Sequence, residues 1–484
     1  MAKGQKTAIT PTREENFPEW YQEVVKAADM AENSAVRGCM IIKPHGYALW
    51  ERVQQELDAR IKREGVRNAY FPLLIPLSYI SREAEHIDGF AKECAVVTHH
   101  RLEQDKEKGG LKPSGELQEP YVIRPTSETI IGESMAKWIQ SYRDLPMKLN
   151  QWANVMRWEM RPRVFLRTSE FLWQEGHNAF ASAVESRADA LRMLDVYADV
   201  AENVLGVPVI KGEKTPEERF PGAIATYTIE AMMQDGKAVQ YATSHDLGQT
   251  FSKSCNITYQ DRDGKEHYAH TTSWGMSTRT IGGLVMVHGD DDGLILPPSI
   301  APEQVVIVPI IKDESQKADL LTYCLELEMR LIEQGVRVKL DSSDARIPDK
   351  MWGNIKRGTP VRVEIGPREM EEGMLTYVMR HKGPKEKVSE TRDAFVSNIA
   401  SLLAEMQSSL LEGKRKEMMD RILDVSSVEE AREVFDKGHM GFVRMDYSLA
   451  KGDAYTKLEN VHALSARCLP FENDGEKVLI GKSY

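Results

Sequence analysis

The sequence predicts an α/β protein of two to four domains. A large α+β unit is built on an antiparallel sheet flanked by helices, an α/β unit follows it, and a small α/β segment closes the chain. Three observations carry this. A chain of 484 residues exceeds what one hydrophobic core organises. Its middle holds hairpin signals, Asp235-Gly236 and Asp263-Gly264, and hairpins build antiparallel sheets rather than βαβ units. After Pro297-Pro298 strand and helix patterns alternate, the arrangement that gives a sheet with parallel pairs.

Residues 1–16 are polar, lack the apolar core of a secretory signal and predict a flexible arm. Phe17, Trp20, Tyr21, Val24, Val25 and Ala28 recur at helical spacing and predict a helix over 17–33. Leu49, Trp50, Val53, Leu57 and Ile61 mark a second helix over 46–64, ended by Gly65. Residues 68–75 read as a buried strand. The charged, aperiodic stretch 101–119 reads as a mobile loop. Strands at 149–157 and 166–173 pair around a polar turn, a helix spans 182–205, and strands at 223–232 and 238–242 flank Asp235-Gly236. Beyond residue 301 come strands at 304–311, 336–340, 361–365 and 375–379, helices at 315–334 and 351–357, and a long helix from Asp393. The expected divisions are 1–16, 17–300, 301–410 and 411–484. No internal repeat is present.

The five cysteines, Cys39, Cys94, Cys255, Cys324 and Cys468, are scattered and never at C-x-x-C spacing, which argues against a disulfide framework or a cysteine zinc site. No apolar run approaches a bilayer span, and the chain is read as cytoplasmic. With 63 basic and 74 acidic residues the net charge is −11, so a nucleic-acid partner requires basic groups gathered locally. Phosphate-binding loops of the G-x-x-x-x-G-K-[ST] and G-x-G-x-x-G kinds are absent, as are G-x-S-x-G and H-E-x-x-H.

Chemistry concentrates between Arg157 and His177, where Arg157, Glu159, Arg167, Gln174, Glu175 and His177 alternate with Phe165, Phe171 and Trp173. One reading is a sheet with a solvated face. The other is a nucleotide site, because arginine forks grip phosphate and aromatic faces stack on bases. The segment resembles motif 2 of class II aminoacyl-tRNA synthetases in the form found in prolyl-tRNA synthetases. Further stretches match that family in order: Arg124-Pro125-Thr126-Ser127-Glu128-Thr129, Asp144-Leu145-Pro146, Leu149-Asn150-Gln151-Trp152, Thr243-Ser244-His245, Leu247-Gly248-Gln249, Ser273-Trp274-Gly275 and Met286-Val287-His288-Gly289-Asp290. The likeness runs from about Trp20 to Tyr484, whose terminal tyrosine also fits the family.

The resemblance implies a class II catalytic domain over 17–300, an anticodon-binding domain over 301–410 and a small C-terminal domain over 411–484. It implies ATP with magnesium, L-proline and tRNA(Pro) as substrates. Arg157 is similar to the arginine that holds the α-phosphate and the substrate carboxylate, Arg167 to the γ-phosphate contact, and Phe171 to the ring that stacks on adenine. Glu159 belongs to the adenine and motif 2 network, and Gln240 and Thr243 resemble nucleotide contacts beside magnesium. Glu128, with Thr126 beside it, resembles the acceptor of the proline nitrogen. Phe90, Trp173, Glu175, His177, His245, Ser273 and Gly275 line the small pocket. Glu364 and Arg368 resemble anticodon contacts. The helix from Gly46 and the strand ending at Pro76 resemble motif 1, which implies a homodimer. Taken singly, Trp173 reads as core, His177 and His245 as structural histidines, and Glu128 as a helix-capping acid. Their joint occurrence is what points to a site.

Three departures stand out. Much of the family continues the two prolines with an arginine that covers adenine. Here Ser299 follows Pro297-Pro298, so a weaker ATP site is expected, or recruitment of Arg279, Arg161 or Arg163. The C-terminal segment has only Cys468, so no structural zinc is expected. The editing insertion of many bacterial relatives is also missing, which leaves mischarged alanyl-tRNA to a separate hydrolase. A threonyl-type enzyme is disfavoured because its zinc-binding cysteine and histidines are not found near the motifs. A non-catalytic paralogue binding tRNA or a regulator stays open on the strength of Ser299.

Overall fold

Local codes open the fold as the sequence predicts. Asn16 caps the first helix, Phe17–Ala27, by accepting from the Glu19 amide at 3.3 Å, and Pro18 sits in its first turn. The next helix, Pro44–Arg63, buries Leu49, Trp50, Val53, Leu57 and Ile61 along one stripe. A computed structural model describes residues 7–82, 93–311, 313–383 and 386–484. The first helix stops well short of residue 33. The chain turns at Asp29 (φ 58), and Ala31–Asn33 then pairs antiparallel with Met40–Ile42. Nor is the segment from Thr7 to Glu15 a free arm. Ile9 is 2% exposed in the main core, and Arg13 bonds Asp291 and Gln234.

Two further expectations are corrected. The stretch 101–119 belongs to a long hairpin, Val96–Gln104 with Leu111–Ile123, that turns at 105–110. Both faces of its outer half meet solvent, so no apolar alternation marks it. The supposed strand 68–75 is split into the exposed Arg67–Asn68 and the short Leu74–Pro76.

The large sheet positions the site. Its antiparallel centre runs Ile210–Glu213, Ala225–Met232, Ala238–Gly248, His270–Ser277, Glu170–Phe180 and Met147–Met156, with Arg67–Asn68 parallel at one edge. Asp235 and Gly236 (φ 78) lie in the predicted hairpin between Ala225–Met232 and Ala238–Gly248. The helix Ala183–Asp199, capped by Ser182 and Glu185, covers one face and ends in a π turn, Val200–Val204. Trp274 fills the core beneath it at 2% exposure.

Gly176 is required by that packing, since a Cβ there would lie 2.0 Å from Trp274 Cζ2. Gly176→Ala is expected to destabilise the protein by about 1–3 kcal/mol through overpacking. A thermal melt reads this, and an unchanged midpoint would contradict it.

After residue 300 a second sheet runs Val338–Leu340, Val305–Pro309, Val361–Ile365, Met374–Met379 and Lys387–Thr391, parallel for the first three and antiparallel beyond. It has its own core, around Ile307, Val363 and Phe395. Arg380 ties this unit to the first by a two-pronged bond to Asp290 at 2.7 and 2.5 Å.

The C-terminal segment adds Ile422–Asp424, Phe442–Asp446, Lys477–Gly481 and Ser465–Pro470. These strands continue the large sheet through Leu469 opposite Glu213 and Pro470 opposite Gly212. Gly212 permits the join, because a Cβ would sit 2.6 Å from Leu469 O and 2.8 Å from Cys468 Sγ. Among the described residues no helix is long and apolar enough to cross a membrane.

Candidate active site

Side chains alternate between sheet faces, so register decides which residues meet. Glu175 lies opposite Gln151 and Gly275, His177 opposite Ser273, and Ser273 opposite His245. Thr243 lies opposite Gly275 and Thr228, and Glu230 opposite Gln240. One face thus presents Trp173, Glu175, His177, Ser273, Thr243, His245 and Gln240 as the floor of a cavity of about 250 Å³. Thr126, Glu128, Arg157, Phe171 and Gly275 complete its lining as the sequence predicts, and Lys214 and Arg279 join them.

The floor is held by a buried polar network. Glu175 Oε1 accepts from Ser127 Oγ at 2.5 Å and Gln151 Nε2 at 2.8 Å, while Oε2 meets His177 Nε2 at 2.9 Å. Burial alone would raise the Glu175 carboxyl and lower the His177 imidazole. Burial is the largest single influence on each. Their mutual bond and charge attraction, with Ser127 and Gln151 on Glu175 and the Glu128 charge on His177, together outweigh it, so Glu175 lies below the usual carboxylate range and His177 above the usual imidazole range. His245 has no such partner. Burial, with the nearby His177 charge, pushes it down to about 3, and it stays neutral, bonded to Thr226 Oγ1 at 3.0 Å and packed on Phe220 at 4.5 Å. The Oγ of Ser273 and the Nε1 of Trp173 are buried with no hydrogen-bond partner among the described residues, which suits them to receive a ligand.

Above the floor, Arg157 leaves the end of Met147–Met156. Its amide bonds Ser169 O at 2.8 Å, its Nε donates to Pro125 O at 2.8 Å, and its guanidinium lies 5.6 Å from the Phe171 ring centre and 5.5 Å from that of Trp173. Glu128 is in the first turn of the helix Glu128–Trp138, 9% exposed, with Oε2 accepting from Thr126 Oγ1. The loop before it is clamped by Arg124, 1% exposed, which donates to Asn154 O at 2.7 Å and Phe71 O at 2.8 Å. The sequence quotes Arg124 in a motif but gives no sign of this bracing role.

Not every expected residue reaches the cavity. Glu159 is half-buried, with Oε1 on the Arg161 amide at 2.8 Å, and does not line it. Arg167 lines an adjoining cavity instead. Phe90 lies outside the described residues. Arg368 is on the surface, paired with Glu372. Glu364 is 7% exposed and already accepts from Arg362 Nη2 at 3.0 Å and Lys387 Nζ at 2.6 Å.

Ser299 is a correction. It does not line the cavity but lies in a groove between the first two units, where Gln407 Oε1 accepts from its amide at 3.0 Å and Arg52 and Arg337 donate to its carbonyl. Arg279 is the arginine that faces the cavity. It opens the helix Arg279–His288 directly after the floor strand His270–Ser277, whereas Ser299 follows the far end of that helix. The sequence offered Arg279 only as one substitute among three, and its position one turn after a floor strand was the usable signal. With Ser299 elsewhere, the feature that favoured a non-catalytic paralogue is gone.

An antiparallel sheet carrying arginines, aromatic rings and buried carboxylates on one face, followed by a parallel-edged α/β unit, is the arrangement expected of a class II aminoacyl-tRNA synthetase. The comparisons agree: residues 112–288 match the tRNA synthetase class II core domain (G, H, P, S and T), and residues 304–402 match an anticodon binding domain. The chain is 53% identical to the proline–tRNA ligase of Bdellovibrio bacteriovorus over 98% of its own length and 97% of the relative's. Against the proline–tRNA ligases of Paramagnetospirillum magneticum and Rhodopirellula baltica it is 52% and 51% identical, covering 98% and 100% of this chain and 96% and 97% of theirs. The chain belongs to the proline–tRNA ligase family.

Proposed function

We propose that the protein activates L-proline with ATP and transfers the prolyl group to tRNA(Pro). A proline carboxylate oxygen bonds to the α-phosphorus, the bond to the β-phosphate oxygen breaks, and prolyl-adenylate and pyrophosphate form. A terminal ribose hydroxyl of tRNA then bonds to the prolyl carbonyl carbon, the bond from that carbon to the phosphate oxygen breaks, AMP leaves, and the hydroxyl proton is released. No protein nucleophile is needed, since rate comes from positioning and charge stabilisation. The observation that carries this reading is the meeting of Arg157, Glu128, Phe171 and Arg279 around one small cavity. Arg157 neutralises charge at the α-phosphate, Phe171 stacks on adenine, and Glu128 receives the proline ammonium. Trp173, Glu175, His177, His245, Ser273 and Gly275 shape the ring pocket, with Phe90 assigned there by resemblance. Arg167 serves the γ-phosphate, and Glu159 steadies the motif 2 loop.

Magnesium enters as part of Mg-ATP. Among the described residues no group of three or more His, Cys, Asp or Glu gathers to hold a metal. That suits an ion carried on phosphates and water, with Gln240 and Thr243 beside it. The ion supplies charge neutralisation on the phosphates. Proline-dependent exchange of labelled pyrophosphate into ATP tests the function, and a folded protein without it would sink the reading.

The divisions 17–300, 301–410 and 411–484 are kept as catalytic, anticodon-binding and C-terminal units. A cytoplasmic homodimer through the region 46–76, and a separate hydrolase for mischarged alanyl-tRNA, complete the proposal. At the anticodon unit Glu364 is held by two cations, so a guanine edge would meet an oriented carboxylate. Glu364→Gln is expected to slow prolyl transfer to tRNA about 10- to 100-fold, the worth of a hydrogen bond to a charged group, while exchange stays near normal. Aminoacylation with labelled proline checks it, and joint loss of both activities would assign Glu364 a structural role.

A further inference from the structure

Four cationic side chains and one carboxylate meet where the C-terminal segment joins the large sheet. Glu230 is 0% exposed and accepts from Lys214 Nζ at 3.0 Å, Thr228 Oγ1 at 2.9 Å, and Arg467 Nε and Nη2 at 3.1 and 2.9 Å. Lys214 follows the strand Ile210–Glu213, and Arg467 lies on Ser465–Pro470, the strand paired with it. The C-terminal segment therefore delivers Arg467, itself 7% exposed, into the first unit. Beside it a cavity of about 180 Å³ is lined by Arg167, Arg279, Arg467 and Gln240. Arg279 and Gln240 also line the larger cavity, so the two adjoin.

The charges do not cancel. Lys214, Arg279 and Arg467 face the carboxylate of Glu230, while Arg167 is engaged by Tyr484 O. Arg279 spends its Nε on Leu166 O at 3.0 Å, and its two Nη groups hold no hydrogen bond among the described residues. Arg167 reaches the same cavity with Nη2 on Tyr484 O at 2.8 Å. Burial, with the charges of Arg167 and Arg157, brings the Arg279 guanidinium down to about 10. A partly buried excess of positive charge around Arg279 and Arg467 favours an anion. Glu230 is the nearby carboxylate that would otherwise serve.

We propose that Arg467 is a positioning residue of the nucleotide site: with Lys214 it holds Glu230 away from Arg279, and so leaves Arg279, with Arg167 opposite, open to a polyphosphate. The ligand is the β- and γ-phosphates of ATP or released inorganic pyrophosphate, and the inference rests on the function proposed above. It gives the C-terminal unit a part in adenylate formation, which its distance in sequence conceals.

The test is calorimetric titration of inorganic pyrophosphate into the full chain, alongside exchange kinetics. Arg467→Met keeps bulk and removes charge. It is expected to weaken pyrophosphate about tenfold, equivalent to 1.4 kcal/mol, and to raise the ATP KM by a similar factor with the proline KM unmoved. Arg467→Lys should retain most of the affinity, and Glu230→Gln added to Arg467→Met should restore most of it. Unchanged pyrophosphate binding in folded Arg467→Met, a parallel rise in both Michaelis constants, or no rescue by Glu230→Gln overturns the proposal. If Arg467→Met does not fold, Glu230→Gln alone decides: tighter pyrophosphate binding supports it and equal or weaker binding overturns it. A wild-type protein without proline-dependent exchange would refute the enzyme reading, while the pyrophosphate titrations would still decide the role of Arg467.

Discussion

Arg157→Ala is expected to lower the turnover of proline-dependent pyrophosphate exchange about 10²- to 10³-fold, the range for removing one preorganised donor from a developing oxyanion. The side chain is placed before any ligand arrives. Its Nε is fixed on Pro125 O at 2.8 Å, and its guanidinium packs over Phe171 and Trp173. Burial depresses its basicity and the charges of Glu128 and Glu175 counter that. The half-buried fork is therefore held in the cavity lining, where the proposed reaction brings carboxylate and α-phosphate together. Lysine supplies charge without the planar fork, so Arg157→Lys should recover little. Steady-state exchange kinetics, with a thermal melt to confirm folding, make the measurement. Turnover within tenfold of wild type in a folded Arg157→Ala protein would remove Arg157 from the transition state.

What the sequence made legible follows the range of each physical signal. The stripe Leu49, Trp50, Val53, Leu57 and Ile61 and the turn at Asp235-Gly236 are local codes, and both are realised. The motif 2 chemistry was visible because alternating charge and ring fall on one strand, Glu170–Phe180. The Val96–Gln104 hairpin was missed because its exposed faces impose no alternation. The join of Ser465–Pro470 to the large sheet was missed because pairing across more than two hundred residues leaves no local mark. The same limit hid the contact of Arg467 with Glu230, and it underlies the expectation that Ser299 borders the cavity. Ser299 occupies the right place along the chain, yet the helix Arg279–His288 carries it away from the cavity.

The second large effect concerns substrate choice. Glu128→Ala is expected to raise the proline KM about 30- to 1,000-fold, corresponding to roughly 2–4 kcal/mol for an ammonium left unpaired in a small pocket. Three carboxylates border the pocket, Glu128, Glu175 and the exposed Glu218, and the surroundings of the first two separate their duties. Glu175 is spent on Ser127, Gln151 and His177, so it organises the floor. Glu128 uses Oε2 on Thr126, and its Oε1 holds no hydrogen bond among the described residues. The residue as a whole is 9% exposed and lines the cavity, so a secondary ammonium entering there is a partner that its carboxylate suits. Glu128→Gln keeps a partner for Thr126 and removes only the charge. It should therefore reproduce most of the KM effect with little loss of stability. The ATP KM should move much less than the proline KM in both variants, because the proposed direct partner of Glu128 is the ammonium, while its charge reaches Arg157 only through space. Exchange measured over a range of proline at saturating ATP, then over ATP at saturating proline, distinguishes the two. Equal shifts for both substrates would make Glu128 a structural acid at the start of its helix, and the proline ammonium would need another acceptor.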